Sequence, residues 1–193
     1  MTFKARVHRE IIAGAAIYKK VFIDYDYLIH SKYFNNKPYY IIRADKSNYA
    51  HLTGVNSLIS AQDFFDACLD GALREDAFDF SSKRKSEKEV MGSVRRKIQI
   101  LPSLAMIFEN KLYAEENFTK GKITCSLATA DNTLTIGFAE SNILRPKTLL
   151  KSNELDCKRA VEVTLVLRRE RGTHLFDTVI QRDAGGFVLC DSY

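Results

Sequence analysis

Lys122-Ile-Thr-Cys-Ser-Leu-Ala-Thr-Ala-Asp-Asn-Thr-Leu-Thr-Ile-Gly-Phe138 changes the hydrophobic period of this chain from helical to alternating. Residues 123–129 and 133–138 read as two β-strands, because apolar and short polar side chains alternate and β-branched residues are frequent. Ala130-Asp131-Asn132 supplies the turn of a hairpin between them. Downstream, residues 160–167 and 174–180 read as two further strands around Arg168-Arg-Glu-Arg-Gly172. Ser141-Asn-Ile-Leu-Arg-Pro-Lys-Thr-Leu-Leu150 reads as a connector that holds polar and basic residues between apolar ones. The C-terminal half is therefore expected to be a meander of about four antiparallel strands.

Upstream the pattern is mostly helical. Residues 5–22 carry Ile11, Ile12, Ala15, Ala16 and Tyr18 among charges, with Gly14 as a weak point. Ser60-Ala-Gln-Asp63 resembles a capping box and opens a helix with Phe64, Phe65, Cys68 and Leu69, which Gly71 ends. Ser86-Glu-Lys-Glu89 is a second capping box, with Val90, Met91, Val94, Ile98 and Leu101 on one side of its helix. Pro102 should kink or divide that helix. Residues 24–30 and 37–43 are β-prone and form a hairpin across Asn35-Asn36, with residues 48–55 as a third strand or its exit loop. Helices first and a sheet afterwards define an α+β fold, N-terminal helices packed on a C-terminal antiparallel sheet. With no repeat or long linker, residues 1–193 are expected to form one domain.

The totals narrow the class. A hydrophobic fraction of 46% supports a sizeable core, and no apolar run approaches the roughly 18–20 residues of a membrane helix. The N-terminal residues lack the apolar core of a secretory signal, which points to a cytoplasmic protein. Cys68, Cys125, Cys157 and Cys190 are scattered, without Cys-x-x-Cys or a zinc-ligand spacing, and read as free thiols. Between Ser81 and Lys97 stand Lys83, Arg84, Lys85, Lys88, Arg95, Arg96 and Lys97 against Glu87 and Glu89, an excess equal to the +5 of the whole chain. Such a stretch suits either phosphate binding or an ordinary solvated helix face.

Signature loops of dinucleotide, P-loop, zinc-protease and α/β-hydrolase enzymes are absent, as is a dense carboxylate cluster for two-metal chemistry. His51 and Thr53 remain, two apart and so on one face of an extended chain, followed at once by Gly54. Arg145, Lys147 and Thr148 in the connector and Thr178 on a late strand complete the set. Imidazole, guanidinium, ammonium and hydroxyl groups together suit an anionic substrate handled without metal or other cofactor. RNA cleavage can run that way, with a base for the 2′-hydroxyl proton, cations for the pentavalent phosphate and an acid for the leaving oxygen.

Tyr49-Ala-His-Leu-Thr-Gly-Val-Asn56, the Ser60-Ala-Gln-Asp-Phe-Phe65 helix start, Ile136-Gly-Phe138 and Leu144-Arg-Pro-Lys-Thr-Leu-Leu150 together resemble a phage-associated group of the Barnase–EndoU–colicin–RelE-like nuclease superfamily. The likeness runs over about residues 8–150 and is most specific around His51 and Arg145. It implies a helix-plus-antiparallel-sheet fold and metal-independent RNA cleavage, in a superfamily that includes many toxins. On that basis His51 is expected as general base or acid and Arg145 as phosphate stabiliser. Lys147, Thr148 and Thr53 would assist binding, and Arg95, Arg96 and Lys97 would hold the RNA backbone. Superfamily sites use a second acid or base, which Arg145, Lys147 or Thr178 would have to supply. RNA or a nucleotide is the expected ligand and an inhibitor protein a further candidate partner. The competing expectation is a non-catalytic binder of nucleotides or nucleic acid, acting in phage defence or counter-defence.

Overall fold

The structure is a computed structural model that describes residues 1–140 and 143–182. Cys190 and the first two residues of the 141–150 connector lie outside the described residues. Helix α1 (Phe3–Tyr18) starts at Thr2, whose hydroxyl accepts from the Ala5 amide, and continues as a π-helical turn over Lys19–Ile23. Its buried stripe is Val7, Ile11, Gly14, Ala15 and Tyr18, one helix face at spacings of three and four. Gly14 is used there: an added Cβ would stand 2.7 Å from the Tyr49 hydroxyl, which donates to the Ile11 carbonyl.

Strands β1 (Tyr25–His30) and β2 (Tyr39–Ile42) form the expected hairpin. The next stretch differs from expectation. Residues 48–53 form helix α2 (Asn48–Thr53), not a strand, and Gly54 closes it in the left-handed conformation at φ +81° with its amide on the Ala50 carbonyl. Strand β3 (Asn56–Ser57) comes after it, then α3 (Ala61–Leu69), β4 (Phe78–Asp79) paired with β3, and α4 (Glu87–Ile100). Ser60 caps α3 and Ser86 with Glu89 forms a full capping box on α4, as expected. Pro102 stands at the start of a 3₁₀ segment, Leu101–Met106, which ends α4 and leads toward the second half of the chain.

The C-terminal half adds β5 (Tyr113–Glu116), β6 (Thr119–Lys120), β7 (Ile123–Thr124), β8 (Leu127–Ala130), β9 (Leu134–Glu140), β10 (Leu144–Lys151), β11 (Val161–Glu162), β12 (Leu165–Glu170) and β13 (Thr178–Arg182). Nine strands form one sheet in the order β11-β5-β8-β9-β10-β2-β1-β12-β13, antiparallel except where β10 meets β2. Three boundaries depart from the sequence reading. The strand expected over 123–129 splits, with β7 pairing β6 in a small hairpin across Gly121 and only β8 entering the main sheet. The connector 141–150 is the strand β10, long enough to pair with both β9 and β2. Pro146 is accommodated because the register shifts between Pro146 and Thr148, leaving Lys147 as the extra, exposed residue of a bulge. The segment 160–167 is divided at Val163-Thr164 into β11 and β12, seven places apart in the sheet.

That division dictates the shape. Seven strand spacings would span about 33 Å in a flat sheet, whereas the three residue steps from Glu162 to Leu165 reach at most about 11 Å. The sheet must therefore curl until its ends approach. At the closure the Val163 amide donates to the Leu112 carbonyl and the Thr164 amide to the His30 carbonyl. The helices share one core with Tyr27, Ile29, Ile42, Ile136, Phe138 and Leu149 from the sheet, while Phe118, Cys125 and Ala128 form a smaller second cluster. Cys68 and Cys125 are buried free thiols and Cys157 is exposed and free. No described helix is long and apolar enough to cross a membrane.

Candidate functional site

Asp26 is a charged residue in the middle of a sheet. Tyr27 and Ile29 of β1 face the helices, so alternation turns Asp26 to the opposite face, where its side chain has no exposure. The antiparallel registers bring an arginine to it from either side. Arg43, just past β2, donates from Nε at 3.0 Å and from Nη2 at 2.6 Å; Arg169, its partner on β12, donates from Nε and Nη2 at 3.1 Å. Arg171 brings Nε to 3.1 Å of the same carboxylate, an ion contact without hydrogen-bond geometry, so that N–H is unspent. Its Nη2 donates to the carbonyls of Phe22 and Ala44.

Three guanidinium groups thus share one buried carboxylate. Burial would raise the Asp26 carboxyl, but the Arg43 hydrogen bonds, the Arg171 and Arg43 charges and the Arg169 bonds outweigh it and hold it below the usual carboxylate range. Burial lowers Arg171 below its ordinary value; Asp26 opposes this, and the charges of Arg43 and Arg145 add to it. Arg145 belongs to the same neighbourhood. It leaves β10 to pair with Asp45, whose carbonyl accepts from the Tyr18 hydroxyl at 2.9 Å. Four guanidiniums against Asp26 and Asp45 leave an excess of positive charge at the junction of β10, β2, β1 and β12. Planar guanidiniums in that number match the oxygens of a phosphate.

α2 runs from this neighbourhood along β10 toward α4. His51 is exposed on it, whereas Thr53 is fully buried, its hydroxyl donating to the Ala50 carbonyl at 2.8 Å. The shared face expected of His51 and Thr53 is therefore not formed, because two residues of α-helix turn about 200°. Lys97, from α4, donates its ammonium to the His51 carbonyl at 2.7 Å and so neutralises the C-terminal end of α2. Gly54 makes the approach possible, since an added Cβ would meet the Lys97 Cδ at 2.9 Å. Burial, and next to it the charge of Lys85, lower the Lys97 ammonium to about 8.

The other residues nominated from sequence are dispersed. Lys147 donates to the Thr124 carbonyl at 2.6 Å and lines a pocket of about 340 Å³ with Phe118 and Cys125. Thr148 is buried beside Gly137. Thr178 is half-buried opposite Arg168 on β12, and alternation puts that pair on the face away from Asp26 and Arg169. Its hydroxyl donates to the neighbouring Asp177 carboxylate. Arg95 lies over the Phe3 ring at 5.4 Å and Arg96 is exposed, so with Lys97 they do not share one helix face. Among the described residues no group of three or more His, Cys, Asp or Glu side chains could hold a metal ion. Sequence reasoning missed Arg43, Arg169 and Arg171. The signal that could have found them was Asp26 itself, an acid at an alternating position of an aromatic strand with arginines in both segments that could pair with it.

Helices on a curled, mainly antiparallel sheet are consistent with the fold of the nuclease superfamily that the sequence resembles. The family model of phage-Barnase-EndoU-ColicinE5/D-RelE like nuclease4 matches residues 10–183, and the chain belongs to that family. No curated protein and no solved structure matches it.

Proposed function

We propose that this protein cleaves RNA by transphosphorylation without a metal ion, holding the scissile phosphate at the guanidinium cluster. The carrying observation is the excess of arginine over carboxylate around Asp26, with Arg145 adjoining Arg171 and Arg43. In this reading Arg145 and Arg171 take the two free oxygens of the phosphate, while Asp26 keeps Arg43 and Arg169 in place. His51, exposed on the helix that starts beside Asp45, moves the proton. The 2′-hydroxyl loses its proton to a base and its oxygen attacks phosphorus. The P–O5′ bond breaks as that oxygen is protonated, leaving a 2′,3′-cyclic phosphate and a 5′-hydroxyl. Positive charge on the phosphorane lowers the barrier because it is aimed at charge that grows in the transition state.

The test is cleavage of a fluorogenic RNA by the full chain in EDTA, beside the same oligomer carrying a single 2′-deoxy residue at the cleaved position. Cleavage in EDTA that the deoxy residue abolishes, with cyclic phosphate termini, is the expected result. Loss of activity in EDTA, or equal cutting of the deoxy substrate, overturns the mechanism. Tight RNA binding without any cleavage would instead identify a non-catalytic binder, the alternative suited to phage defence or counter-defence.

A further inference from the structure

A second basic feature lies at the other end of α2. The segment between β4 and α4 folds over Lys97 to form a pocket of about 500 Å³, lined among others by Asn56, Lys83, Arg84, Lys85, Ser93 and Lys97. Four cations line it and, among the described residues, no carboxylate does. None of the four forms an ion pair among the described residues.

The loop is held at both ends. Asp79 accepts from the Ser81 amide and hydroxyl and from Asn56 Nδ2, which fixes its start. The Ser86–Glu89 capping box fixes its end, and Glu89, an acid close enough to feel the Lys85 charge, is occupied by the Ser86 amide and hydroxyl. Lys97 cannot withdraw either, since its ammonium is tied to the His51 carbonyl beneath Gly54. Like charges are therefore gathered around one concavity in the free protein, and the charge of Lys85 adds to burial in lowering the Lys97 ammonium. An anion entering the pocket relieves that repulsion without a large ordering cost.

We infer that this pocket holds a backbone phosphate of a nucleic-acid strand, at a site separate from the guanidinium cluster. The inference deepens the proposed function by adding a place for the strand beyond the scissile bond, and it rests on that reading only for the identity of the strand. A strand held here and at the cluster would run along α2, past exposed His51. Arg95 and Arg96, which the sequence groups with Lys97, lie outside this pocket.

The experiment measures binding of a fluorescent 2′-O-methyl RNA oligomer, which cannot undergo transphosphorylation, by anisotropy at several salt concentrations. The full chain is compared with Lys83→Ala/Lys85→Ala and with Arg95→Ala/Arg96→Ala, all four positions being exposed. Losing the one single-strand phosphate contact should flatten the log–log salt slope by about 0.7, which corresponds to about 5-fold weaker binding at 0.1 M salt, relative to 1 M. The Arg95/Arg96 variant should change the slope far less. An unchanged slope and affinity for Lys83→Ala/Lys85→Ala overturns the inference, as does an equal effect of the two double variants. Inorganic pyrophosphate is the second arm. If it occupies the pocket with full affinity while strand binding is indifferent to Lys83 and Lys85, the site takes a small polyphosphate and not a strand, which also overturns the inference. Because the oligomer cannot be cleaved, its binding is read independently of turnover, so failure of the cleavage mechanism and failure of this site are told apart.

Discussion

Replacing Asp26 by Asn removes the one carboxylate that three guanidiniums share and keeps nearly the same shape. The carboxylate is fully buried and accepts five hydrogen bonds, three from Arg43 and two from Arg169, besides the Arg171 contact. Breaking a buried ion pair by removing one partner costs about 3–5 kcal/mol. Here the arginine side chains retain 14–32% exposure, so water recovers part of their solvation and the lower end, about 3 kcal/mol, is the appropriate value. For a chain of this length that corresponds to a fall in Tm of about 6–12 °C. The assay is calorimetric or dichroic melting at pH 7 and again in acid. Asp26 is held below its ordinary carboxyl value of 3.8, so its contribution is fully present above that value and disappears as pH falls through the folded-state value. The melting curves of the wild type and the Asp26→Asn variant should therefore converge in acid. A variant as stable as wild type at neutral pH, or a difference that persists unchanged in acid, would refute the claim that this carboxylate organises the cluster.

The structure sets four further outcomes. Arg145→Ala should lower both RNA affinity and turnover, and His51→Ala should lower turnover alone by roughly 10²-fold, as measured by single-turnover cleavage. Binding of the uncleavable strand should weaken between pH 7 and 9 as Lys97, at about 8, loses its proton, with His51, Lys83, Arg84, Lys85 and Glu89 the other titratable or charged groups around it. Lys97→Gln should remove that part of the pH dependence, and a persisting slope would exclude Lys97 as its source. Gly54→Ala should cost about 1–2 kcal/mol in a melting experiment, because it puts a side chain at φ +81° and against the Lys97 stem, and should weaken strand binding at the same time.

Much of the fold was legible locally. The capping serines Ser60 and Ser86, the β1–β2 turn and the hairpin around Asp131 act over a few residues, so side-chain chemistry and period suffice to read them. α2 was misread because six residues contain less than two turns, too few for a helical period to show. Its one cue was Gly54, which suits a helix C-cap as well as a strand end. Only the tertiary structure decided the sheet order. Placing β2 and β1 between β10 and β12, and dividing residues 160–167 between distant strands, depends on contacts that no local pattern encodes.

The candidate site divides in the same way. His51 and Arg145 were singled out by residue type, and both fall within the residues matched by the family. That Arg145 stands with Arg43 and Arg171, residues 102 and 26 positions away, came from the curl of the sheet. The basic run 83–97 was visible as composition, but helix rotation sent Arg95 to Phe3 and Lys97 to His51. Net charge is a property of sequence; which charges meet is set by register and helix phase, because guanidinium and ammonium groups act on a phosphate over a few ångströms and not along a chain.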